Sequence, residues 1–100
     1  MIPDNITKEH LEKAIEEIDK NGIRKGRQSS TYNLVHKGKY YPPKLIISIA
    51  NKYANGIELD SGEFKGGMDT SAFKLLEGFD YKIIEKKNLK EVITTMLVNR

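Results

Sequence analysis

YNLVHKGKYYPPKLIISIANKYANG, residues 32–56, followed by IELDSGEFKGGMDTSAFKLLEGF, residues 57–79, decides the fold. The opening residues alternate: Tyr32, Leu34 and His36 fall on one face of an extended chain, Asn33 and Val35 on the other. Lys37-Gly38 is a two-residue turn signal, weaker than Asn-Gly because lysine disfavours positive φ, and Lys39 to Tyr41 makes the return strand. Pro42-Pro43 fixes the exit, with Pro43 suited to the first helical position, where its missing N–H costs nothing. Beyond it, Leu45, Ile46, Ile47, Ile49, Ala50 and Tyr53 form a wide apolar surface. The polar residues Lys44, Ser48, Asn51, Lys52 and Asn55 fall on one narrow, acid-free stripe at helical spacing. The pattern predicts a helix at the centre of the core with a single polar edge, ended by Gly56.

Working outward, residues 57–68 read as a connection, in which Gly66-Gly67 permits either a tight turn or a close backbone approach. Asp69 or Thr70 caps a short helix with Phe73 and Leu76 inward and Gly78 at its end, and Phe79, Tyr81 and Ile83 then alternate as a strand over 79–85. Upstream, Thr7 is placed to cap a first helix, with Ile6 and Leu11 at hydrophobic-staple spacing and Leu11, Ala14, Ile15 and Ile18 on one stripe. Downstream, Asn88 and Glu91 suit the start of a last helix with Leu89, Val92, Ile93, Met96 and Leu97 as its apolar face. The sum is an α+β fold, a small antiparallel sheet of about three strands with about four helices. A winged-helix-like layout, with the basic hairpin as wing, fits the same pattern.

One hundred residues suffice for a single domain, 1–100. There is no cysteine, which excludes thiolate nucleophiles and thiolate zinc sites. No apolar run approaches the length of a membrane helix, and IPDNITKEH after Met1 lacks the basic and apolar regions of a signal peptide. A cytoplasmic protein with no membrane partner is expected.

Charge is unevenly placed. Residues 1–19 carry two basic and six acidic side chains, residues 20–57 eight basic and no acidic ones, and residues 58–100 seven and eight. The central block can form a positive face for a polyanion; alternatively it is a solvated face balanced by the acidic first helix. Arg24, Lys25 and Arg27 flank Gly26, and Gln28, Ser29 and Ser30 follow, all side chains that suit phosphate, sugar or base contacts. Lys37 and Lys39 cluster at the hairpin tip beside Tyr40 and Tyr41, which either pack or stack on a base. Lys44 and Lys52 on the polar edge of the central helix suit phosphate, and Asn51 suits a base or sugar.

Catalytic patterns are absent or weak. His10 and His36 lack metal-ligand spacing, and Ser29 and Ser30 lack a nucleophile motif. Glu63-Phe64-Lys65 matches the E-x-K half of a metal-dependent nuclease motif, without carboxylates converging from separate elements. No cofactor or metal is expected.

Over roughly residues 31–85 the chain resembles the N-terminal head domain of McrA-type modification-dependent HNH restriction endonucleases and related defence proteins. The motifs are Tyr32-Asn-Leu-Val-His-Lys-Gly-Lys-Tyr40, Tyr41-Pro-Pro-Lys44, Tyr53-Ala-Asn-Gly56, Phe64-Lys-Gly-Gly67 and Leu76-Glu-Gly-Phe79, in matching order and spacing. The resemblance implies a non-catalytic DNA-binding or assembly module of a restriction or phage-defence system, with duplex DNA and a nuclease domain or subunit as partners. It carries no nuclease activity here, because the sequence has no HNH or zinc-binding segment. The alternative is a protein-interaction or dimerisation module that docks a nuclease, supported by the apolar face of the last helix.

Overall fold

Thr7 opens the first helix with a reciprocal cap. Its side chain accepts from the His10 N–H, and His10 Nδ1 accepts from the Thr7 N–H at 2.9 Å. Histidine thus does the work usually given to Glu or Gln at that position. The computed structural model describes residues 2–23, 25–28 and 31–86. Helix α1 spans Lys8–Asn21 and buries Leu11, Ala14, Ile15 and Ile18, with Ile6 buried ahead of the cap. It ends at Gly22, whose φ of 79° and ψ of 179° belong to a region essentially restricted to glycine.

Strands β1, Tyr32–His36, and β2, Lys39–Tyr41, form the hairpin. Lys37 and Gly38 take φ of 50° and 78°, the paired positive values of a tight hairpin turn. Strand β3, Lys82–Glu85, adds to the other side of β1, so the antiparallel order is β2-β1-β3. The register aligns Tyr41, Leu34 and Ile83 in one row across the sheet, and all three are buried. The neighbouring row, Tyr40, Val35 and Lys82, points the other way, leaving Tyr40 61 % exposed. The pleat therefore separates the two adjacent tyrosines, one into the core and one into solvent.

Helix α2, Pro43–Asn55, is the centre of the core. Leu45, Ile46, Ile47, Ile49 and Ala50 are all essentially inaccessible. Helix α1 packs chiefly on α2, and α3, Ser71–Gly78, packs on α2 and β3 through Phe73 and Leu76. Thr70 caps α3, accepting from the Phe73 N–H. Truncating Leu45 or Ile46 to alanine removes contacts on several sides at once, a loss of about 2–5 kcal/mol.

The architecture is α+β, a three-stranded antiparallel sheet with three α-helices among the described residues. The expected fourth helix, over the segment of Leu89 to Leu97, lies outside the described residues. Strand β3 begins at Lys82, not at Phe79 as the alternation predicts. Phe79 is instead the C-cap of α3, Asp80 turns at φ 71°, and the Tyr81 N–H returns to the Leu76 carbonyl at 3.1 Å. The helix end uses backbone that alternation alone assigns to the strand. Among the described residues no helix is long and apolar enough to cross a membrane.

The polar stripe of α2 is not one open edge. Ser48 and Asn51 are fully buried. The Ser48 carbonyl accepts from the Leu59 N–H at 3.2 Å, and Asn51 Nδ2 donates to the Ile57 carbonyl at 2.8 Å. Asn55 donates to Asn51 Oδ1 and exchanges side-chain hydrogen bonds with Asn5. The stripe is where the 56–60 connection and the N-terminal segment dock, because buried backbone groups in irregular segments need polar partners.

Candidate nucleic-acid interface

Carboxylates of α1 engage much of the hairpin side of the basic block. Asp19 accepts from the Tyr41 hydroxyl at 2.6 Å and lies 3.8 Å from Lys39 Nζ. Glu17 pairs with Lys52 Nζ and accepts from the Tyr53 hydroxyl at 2.7 Å. Glu12 Oε2 lies 3.4 Å from His36 Nε2. Lys39 and Lys52, both expected to contact phosphate, thus sit against acids contributed by the first helix. Lys37, at the turn itself, is exposed and has no ion-pair partner among the described residues.

The other side of the block is different. A cleft of about 320 Å³ opens where the 25–28 loop meets the start of α2. Arg27, Gln28 and Lys44 line it together with Thr31, Ser61 and Gly66. The rings of Tyr32 and Phe73, packed edge to face at 5.1 Å between centroids, form part of its wall. Among the described residues no carboxylate lines this cleft. Three other clefts mix the two signs: Glu12 and Asp19 with Lys39, Glu16 and Glu17 with Lys20, and Asp69 with Lys65.

Both cations of the cleft are held in place. An Arg27 guanidinium nitrogen donates to Ser48 Oγ at 2.9 Å, so the stripe of α2 anchors the preceding loop as well as the following one. Lys44 Nζ donates to the Ser61 carbonyl and stands 4.9 Å from the Phe64 ring centre. Its aliphatic stem lies against Gly66, where an added Cβ would come within 2.9 Å of Lys44 Cγ and Cδ. Gly66 is thus the close approach left open by the Gly66-Gly67 pair, and only the absence of a side chain allows it. Burial first, and the charge of Arg27 second, hold the Lys44 ammonium below its usual pKa.

The remaining predicted positions divide cleanly. Lys25 and Gln28 are exposed, Gln28 at the mouth of the cleft. Arg24, Ser29 and Ser30 lie outside the described residues. Asn51 is 1 % exposed with its amide committed to Ile57 and Asn55, so it offers no surface for a base or sugar. Thr31 and Ser61 were not legible as site residues, since each reaches the cleft from a separate loop and no spacing connects them. Glu63, of the E-x-K half-motif, lies in the 3-10 turn Ser61–Glu63, and its carboxylate accepts from the Asp60 N–H at 3.2 Å.

Comparison with known proteins gives one family. The model of the ScoMcrA-like N-terminal head domain matches residues 4–85, from the segment before α1 through the end of β3. No curated protein and no solved structure matches the chain. The family match encloses every described element, including the hairpin, the α2 core helix and both loops that build the cleft, and the chain belongs to the ScoMcrA-like N-terminal head domain family.

Proposed function

We propose that this head domain is a non-catalytic, sequence-tolerant module that binds duplex DNA in the service of a restriction or phage-defence protein. One observation carries the reading: Arg27 and Lys44 line a cleft that has no carboxylate among the described residues, close in sequence to the exposed Lys25 and Gln28. Cations that lack acidic partners retain their attraction for phosphate, whereas Lys39 and Lys52 must first leave Asp19 and Glu17. Arginine presents a planar fork of donors that suits phosphate oxygens, and lysine adds a point charge. Gln28 and Lys25 extend the same surface along a strand. The docking alternative draws on the segment 87–100, which lies outside the described residues.

The test is a titration of duplex DNA at about 50 mM and about 200 mM salt, the range over which phosphate contacts lose affinity. The parent is compared with Arg27→Met/Lys44→Met and with Lys39→Met/Lys52→Met. The first pair should weaken binding and lower the slope of log affinity against log salt by about 2, because each phosphate contact contributes about 0.9. The second pair should change it less, since those ammonium groups are already matched. Equal losses from both pairs would spread the interface over the α1 side as well and remove the priority of the cleft. No binding at the lower salt by a folded chain would overturn the reading altogether.

A further inference from the structure

We propose that the Arg27–Lys44 cleft seats a terminal phosphate monoester, such as that at a nucleic-acid end, in preference to an internal phosphodiester. The inference rests on the nucleic-acid reading and sharpens it.

Shape is the first argument. The cleft is recessed between the Pro42-Pro43 exit, the Tyr32 and Phe73 rings and the Gly66 backbone. An internal phosphodiester has a sugar on each side, and both must be fitted between these walls. A terminal phosphate has a single substituent and enters end-on.

Charge is the second argument. Two cations face one recess whose lining holds no acid among the described residues. A phosphodiester carries one negative charge, whereas a phosphate monoester carries roughly −1.5 to −2 at neutral pH. Only the monoester matches both cations. Burial first, and the charge of Arg27 second, lower the basicity of Lys44, and a dianion in the recess would offset both.

Donor capacity is the third. A guanidinium offers five N–H groups and an ammonium three. Among the described residues Arg27 donates to Ser48 and Lys44 to Ser61, which leaves donors on both for a ligand. Those two bonds, with the Lys44 stem against Gly66, fix the side chains before a ligand arrives, so little ordering is left to offset binding.

The experiment is a competition assay. A labelled duplex bound by the intact chain is displaced by unlabelled duplexes of one sequence bearing 5′-phosphate, 3′-phosphate or hydroxyl ends, and by a closed circle with no ends. Inorganic phosphate alone is a further competitor. A phosphorylated end should compete about tenfold better than a hydroxyl end, the effect of one or two charge-assisted hydrogen bonds. The circle should compete like the hydroxyl-ended duplex. Lys44→Met, which keeps the stem, should bring the phosphorylated duplex down to the hydroxyl level, and Lys44→Arg should preserve the preference; a thermal melt confirms that each variant is folded. Equal competition by all duplexes, or a preference that survives Lys44→Met, overturns the proposal while leaving duplex binding intact. Displacement by inorganic phosphate as effective as by the phosphorylated end overturns the nucleic-acid end as the occupant and assigns the cleft to a free anion. Should no duplex bind, the duplex reading fails first. The cleft is then tested by the amide signals of Gln28 and Gly66 on adding inorganic phosphate, whose failure to move would overturn the proposal as well.

Discussion

Lys44 sits where three constraints meet: Gly66 against its stem, Ser61 and Phe64 at its ammonium, and the charge of Arg27 across the cleft. Its pKa lies below 10.5 in the free protein, and an anion in the cleft favours the protonated form and raises it again. Anion binding therefore takes up protons, and affinity should fall as pH rises through the free-state pKa, in a window below 10.5. The same residue affects stability with the opposite sign. Between its folded and unfolded pKa the folded chain binds fewer protons, so its contribution to stability rises with pH. Binding measured against pH on the parent and on Lys44→Arg separates the effect, because arginine stays charged throughout and should remove that part of the slope. An identical alkaline fall in both proteins would show that Lys44 is not the group responsible.

The hairpin and α1 are joined at the scale of elements by a short polar seam. The Tyr41 hydroxyl donates to Asp19, and burial, then that hydrogen bond and the Asp19 charge, push the Tyr41 pKa up to about 12. The unfolded chain ionises this group near 10.0. Its stabilising effect is therefore complete below that value and is lost as pH rises towards about 12. Tyr81 is shifted in the same direction, by burial first and the Glu12 charge second, so the two tyrosines act together in alkali. Tyr41→Phe should cost about 1.5–3 kcal/mol at neutral pH, the range for a hydrogen bond to a charged group. It should also flatten part of the stability loss in alkali. Chemical denaturation at neutral pH and in the alkaline range measures both. A Phe variant as stable as the parent at neutral pH would mean that the seam adds little beyond packing.

Across the whole molecule the net charge of +3 conceals two surfaces of different character. On one, α1 sets Glu12, Glu17 and Asp19 against His36, Lys52 and Lys39; on the other, Arg27 and Lys44 converge with no acid among the described residues. Polyanion binding should thus be limited on the α1 side by competition from the protein's own carboxylates. Asp19→Asn keeps an acceptor for the Tyr41 hydroxyl while freeing Lys39. It should raise duplex affinity by about twofold to fivefold at low salt, the scale of one exposed ion pair, and the gain should shrink as salt rises. Unchanged affinity in the low-salt titration would confine the interface to the cleft side.

The local elements were legible before any tertiary structure. Thr7, Pro43, Gly56 and Thr70 mark helix boundaries because caps and proline act through the nearest few residues. Lys37-Gly38 sets the hairpin, and alternation gives the phase of β3 although not its first residue. Helical spacing identified α2 as the core helix, and the charge blocks revealed an acidic first helix followed by a basic stretch. Only the tertiary structure decided what the polar groups do. Periodicity says which residues share a stripe, not what covers it. Ser48 and Asn51 share a stripe with Lys44 and Lys52, yet Arg27 and the 56–60 connection cover them, and the backbone of that connection takes them as hydrogen-bond partners. Likewise, sequence gives the sign of each charge but not its distance from the opposite sign. Coulomb energy depends on that distance, so the division of one basic block into a neutralised face and an uncompensated cleft emerges only once α1 packs on α2.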